Sequence, residues 1–155
     1  MKLSRNFWLA EMTVSDAATE LGLDNQPTTE HLANLRTLAL GMEQVRAILG
    51  GKPIRIESAY RSARVNKAVG GVPNSAHALG LAADFEVAGL TPLAVARKLE
   101  ASKLVFDQLI LESSRGICHI SFAPLLRREV LTQAGGPGTA TVAGLPKSLK
   151  LAGTG

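Results

Sequence analysis

The stretch 74-NSAHALGLAAD-84 sets one imidazole, His77, and one carboxylate, Asp84, among side chains that are nearly all small or apolar. Charge in so bare a setting is costly unless it is paired or bound to a metal. A single helix carrying both would place them on one face but about 10.5 Å apart along its axis. Two ligands that each sit about 2 Å from one zinc ion do not meet easily across that gap. Gly80 also argues against an unbroken helix. The stretch therefore predicts a loop bearing His77 that leads through Gly80 into a strand holding Asp84. Ala76, Ala78, Gly80, Ala82 and Ala83 then provide close packing around the pair. Taken alone, such a pair is more often a satisfied hydrogen bond than a metal site.

A second histidine shifts the balance. His119 lies in the apolar run 117-ICHISF-122, where an unpaired imidazole is poorly solvated. It reads either as a core histidine bonded to a backbone carbonyl or as a further ligand. Two histidines, one aspartate and an open fourth position make a tetrahedral catalytic zinc site. The single cysteine, Cys118, excludes a disulfide framework and a multi-cysteine zinc site. Strand alternation points Cys118 away from His119. His31, among polar neighbours on a long helix, reads as a surface residue.

Outward from these motifs the chain alternates helix and strand signals. Ser15, DAATEL and Gly22 form a short capped helix. From Thr29, the residues Leu32, Leu35, Leu38, Ala39, Met42, Val45 and Leu49 recur at helical spacing until Gly50-Gly51. Residues 53–57 alternate like a strand, and 61–71 read as a short helix ending in glycines. Thr91-Pro92 starts a helix over 93–102. Residues 104–112 and 117–122 read as strands joined by the polar turn SSRG. The expected fold is α+β, a small, mostly antiparallel sheet flanked by helices. Residues 1–132 are expected to form the functional domain. Residues 133–155, rich in Gly, Thr and Pro, are expected to be a flexible or loosely docked tail, strand-like only at TATVAGL.

The 155 residues suit one domain. A net charge of +4 suits an anionic partner such as nucleic acid, membrane or cell wall, without choosing among them. Aromatic residues make up only 4% and interleave with no basic run, which argues against a base-stacking nucleic-acid platform. No apolar run reaches the roughly 18 residues of a membrane helix, so stable membrane insertion is not expected. The opening MKLSRNFWLAEMTVSDAA lacks the apolar core of a secretory signal, and synthesis in the bacterial cytoplasm is the expectation.

The run Ser75-x-His77-x-x-Gly80-x-Ala82-x-Asp84 resembles the SxHxxGxAxD signature of zinc D-Ala-D-Ala carboxypeptidases and phage peptidoglycan endopeptidases, the LAS metallopeptidases of the Hedgehog/DD-peptidase fold. The segment 58-SAYRSARVNKAVGG-71 is similar to that family's S-x-YRS…N region. The pair 107-DQLILE-112 and His119-Ile120-Ser121 resembles its carboxylate-then-histidine ending, and the similarity spans roughly residues 5–122. The resemblance implies one Zn2+ bound by His77, Asp84 and His119, with a general base shortly before the third ligand. Glu112 is the candidate base, at the end of an apolar strand beside that of His119. Asp107, at the strand's start, is the competing carboxylate and reads as structural. Arg61 matches an arginine that polarises the substrate carbonyl or holds a carboxylate, with a surface ion pair to Glu57 or Glu86 as its alternative. Ser75 either hydrogen-bonds substrate or caps the histidine loop, whereas Tyr60 and Asn66 read as structural. Many relatives carry an aromatic residue before the third ligand, where this chain has Ile117-Cys118, so the pocket lining is expected to differ.

The implied activity is a monomeric zinc peptidase acting on the peptide stems of bacterial peptidoglycan, as carboxypeptidase or endopeptidase. A bacteriophage endolysin that reaches the wall after synthesis in the host fits its small size and charge. The rival reading is a module of the same fold that keeps zinc but has lost catalysis, as a wall-binding or virion component. A carboxylate at Glu112 favours the enzyme.

Overall fold

The computed structural model describes residues 1–147. The chain opens with α1 (Leu9–Thr13), α2 (Asp16–Leu21) and the long α3 (Thr29–Ile48), then enters β1 (Ile54–Ser58). Two short helices, α4 (Ala63–Ala68) and α5 (Ala76–Leu79), lead to β2 (Ala82–Val87). After α6 (Pro92–Ala101) come β3 (Gln108–Glu112), β4 (Ile117–Ser121), β5 (Glu129–Gln133) and β6 (Val142–Ala143).

The helix boundaries follow the expected chemistry. The Ser15 hydroxyl accepts the Ala18 amide at the start of α2, and Gly22 closes it in the left-handed conformation (φ 65°). Thr28 caps α3 by accepting the His31 amide, and Thr91 with Pro92 opens α6. The periodic residues of α3 form its inner face: Leu35, Leu38, Ala39, Met42 and Val45 are fully buried. They join Phe85, Phe106, Leu109, Leu111, Ile120 and Leu99 in one core between the helices and a face of the sheet.

The sheet has six strands in the order β1-β2-β4-β3-β5-β6. It is mixed rather than mostly antiparallel as the sequence suggests, because β5 runs parallel to β3. The departure arises where local pattern is weakest. Residues 129–133 add a strand to the sheet across the expected boundary at 132, and Val142–Ala143 pair with β5 in turn. The remainder of the expected tail, 148–155, lies outside the described residues. The strand expected over 104–112 begins only at Gln108. Before it, the Arg128 guanidinium binds the carbonyls of Leu104 and Ser102 and lies over the Phe106 ring, replacing ladder hydrogen bonds.

Side-chain alternation divides the sheet into two faces. Leu109, Leu111, Cys118 and Ile120 point into the core. Asp84, Gln108, Ile110, Glu112, His119 and Ser121 point the other way and form the floor of a cleft.

Candidate metal centre

Three different devices bring His77, Asp84 and His119 together. Asp84 and His119 are direct partners across the antiparallel β2–β4 pair, so the register alone makes their side chains neighbours. His77 arrives from α5, a one-turn helix where a loop was expected. The Ser75 hydroxyl caps it by accepting the His77 amide at 3.2 Å. Gly80 then reverses the chain into β2 at φ 80°, with α3 so close that a Cβ would stand 3.0 Å from the His31 carbonyl oxygen. Both demands select glycine at that position.

The ligand atoms of the three residues lie within 4.8 Å of one another. His77 Nε2 and His119 Nδ1 lie 3.2 and 2.9 Å from the same oxygen, Asp84 Oδ1. His77 Nδ1 lies 2.7 Å from the Ala59 carbonyl, which fixes its proton there and aims the Nε2 lone pair at Asp84. Burial lowers the His77 pKa and favours the neutral ring, with Asp84 only partly opposing it. Burial alone would raise the Asp84 carboxyl, but the facing imidazoles of His77 and His119 outweigh it and hold Asp84 well below the usual carboxylate range. With its Nδ1 proton on Ala59, a neutral His77 turns a lone pair toward Asp84, so the positive charge that holds the Asp84 carboxyl low is one that the imidazoles and the carboxylate share. Two such acceptors at this distance call for a shared cation. Two imidazoles and one carboxylate are a zinc-type donor set, so the residues fit the ion that the sequence implies.

Glu112 occupies the same face of β3, opposite Ile117 and so one diagonal step from His119. Its carboxylate is nearly buried and accepts a hydrogen bond from Arg115 Nη1 at 2.9 Å. The same nitrogen lies 3.4 Å from Asp84 Oδ2. Arg115 thus bridges the proposed base and a proposed ligand, a role not anticipated from the sequence, where SSRG reads only as a polar turn. The available signal was its spacing: an arginine three residues beyond Glu112, on the turn joining the strands of Glu112 and His119.

Arg61 reaches the cleft from the segment before α4, and its backbone amide donates to the His77 carbonyl. It forms no ion pair among the described residues, and its Nε is buried without a hydrogen-bond partner. Glu57 and Glu86 are taken by Arg55 instead. Burial lowers the Arg61 pKa, opposed by Asp84. Asp107 is held by Arg127 through both carboxylate oxygens. Asn66 donates to the Val72 carbonyl, tying down the glycine loop beside the cleft. Cys118 lies on the core face, where burial pushes its thiol up to about 12. His31 departs from the surface position expected of it. It is half-buried, with Nδ1 3.1 Å from the Tyr60 hydroxyl, because the loop before α4 folds back over α3.

A sequence model of one family, described as Peptidase M15, matches residues 5–121, which include every strand and helix bearing these groups. No curated protein matches the chain.

Proposed function

The chain belongs to the peptidase M15 family of zinc-dependent metallopeptidases, and from that premise we propose that it cleaves peptide bonds in the stems or cross-links of bacterial peptidoglycan. The observation that carries this reading is the convergence of His77, Asp84 and His119 beside a nearly buried Glu112 at the floor of an open cleft. Zinc held by His77, Asp84 and His119 would supply polarisation of the scissile carbonyl and acidification of the attacking water.

The protein's own groups account for the remaining work. Glu112 takes the proton from the attacking water and returns it to the leaving amine. Arg115 fixes the carboxylate of Glu112 for both transfers. Arg61, charged and with an unsatisfied Nε, holds the substrate carbonyl or a substrate carboxylate through its forked donors. Ser75 contributes through the α5 cap and lines the cleft beside His77. A net charge of +4 favours approach to an anionic wall, and a monomeric bacteriophage endolysin is the setting we propose.

Incubation of the zinc-loaded protein with purified peptidoglycan, followed by mass spectrometry of the soluble products, tests the proposal. New amino groups are expected, and the fragment masses identify the bond. Tightly bound zinc without cleavage of any wall type would support the non-catalytic binding module instead.

A further inference from the structure

The residues on the cleft face follow the strand order of the sheet: Asp84 on β2, His119 on β4, Glu112 on β3 and Gln133 on β5. The parallel register sets Gln133 directly beside Glu112. The family match ends at residue 121, so Gln133 and the loop after it lie beyond the matched segment. That loop nevertheless contributes Pro137, Gly138 and Thr139 to the same cleft of about 560 Å³.

Hydrogen bonds give this loop a defined shape. Gln133 Nε2 donates to the Thr139 carbonyl at 2.9 Å, and the Thr139 hydroxyl donates to the Gly136 carbonyl at 2.6 Å. The Ser113 amide donates to the Gln133 carbonyl at 3.2 Å, joining β5 to the turn that carries Arg115. The side-chain amide of Gln133 is thus oriented by its NH2 group. Among the described residues no donor reaches its Oε1, which is free to accept from a ligand.

We infer that Gln133 and the loop to Thr139 form a substrate-binding wall, in which Gln133 Oε1 accepts a backbone N–H of the peptide following the cut bond. The inference rests on the peptidase reading and deepens it. Glu112, which returns the proton to the leaving amine, stands between the metal cluster and Gln133. The substrate residues nearest Gln133 are therefore those on the leaving-amine side. The ligand class is an extended peptide continuing past the leaving residue, as in a cross-linked or longer stem.

Two readouts on the full zinc-loaded chain test this. Gln133→Ala should raise KM roughly 3- to 10-fold for stem peptides that continue beyond the leaving residue, the loss expected for one hydrogen bond. It should leave kcat, bound zinc and the KM for peptides ending at the leaving residue unchanged. Hydrogen exchange of amides 133–139 should slow when soluble cross-linked stems are added, and Thr139→Val should weaken that protection. Cleavage by the parent protein with no KM change in Gln133→Ala and no protection of 133–139 would overturn the wall while leaving the peptidase intact. Protection of 133–139 without release of amino groups would support the wall and reject the peptidase reading.

Discussion

Glu112 and Arg115 form a close pair beside the His77–Asp84–His119 cluster, and the proposed mechanism gives each a distinguishable job. Glu112→Gln keeps the shape but removes the proposed base, so hydrolysis should fall by about 10²- to 10⁴-fold while zinc content stays the same. Unchanged turnover would remove Glu112 from the mechanism. Arg115→Ala frees the Glu112 carboxylate, and a loss of about 10- to 100-fold in turnover is expected, as for other outer-shell partners. Partial recovery in Arg115→Lys would show that the charge, rather than packing alone, matters. His77 sets a pH dependence. Burial lowers its pKa below the ordinary 6.5, so near and below that value the unfolded chain binds a proton that the folded chain resists. Stability of the metal-free protein should therefore rise with pH toward about 6.5 and level off above it, as far as His77 is concerned. Urea midpoints of chelated protein at acid and neutral pH measure this, and equal midpoints would contradict it. His77, Asp84 and His119 were legible because ionisable residues are conspicuous in small, apolar surroundings. Arg115 was not, because its significance depends on a hairpin bringing it back over Glu112 and Asp84.

At the scale of elements, α3 was readable almost to its ends, since a capped, periodic helix of 20 residues carries its own signals. Its contact with the sheet was not. Gly41 lies where a Cβ would be 2.5 Å from the Phe122 ring, so this glycine lets helix and ring approach each other. Gly41→Ala should destabilise the fold by about 1–3 kcal/mol through overpacking, read by chemical denaturation. An unchanged midpoint would mean that the ring moves aside freely. α5 shows the opposite lesson. Its one turn is too short for periodicity to reveal, yet the Ser75 cap and Gly80 that bound it were both visible in the sequence. β5 escaped recognition for a different reason. Its residues are all only half-buried, so no clean alternation marks it, and its parallel partner β3 is fixed by tertiary packing. Local pattern predicts whether a segment can be a strand far better than which strand it joins.

For the whole molecule, the division of labour follows from the two faces of the sheet. One face is sealed by α3 and α6 into a single apolar core, which makes the strands a rigid base. The other is left open, and the register of β2, β4 and β3 sets the ionisable groups across it. No helix among the described residues is long and apolar enough to cross a membrane. The central claim is that one metal ion at His77, Asp84 and His119 drives peptide hydrolysis. Titration of zinc into chelated protein, following bound metal and release of amino groups from purified peptidoglycan together, tests it most directly. The account predicts one tightly bound zinc per chain, activity rising in proportion to it, and loss of both in His119→Ala. Full activity in the chelated protein, or the same tight zinc binding in His119→Ala, would contradict it.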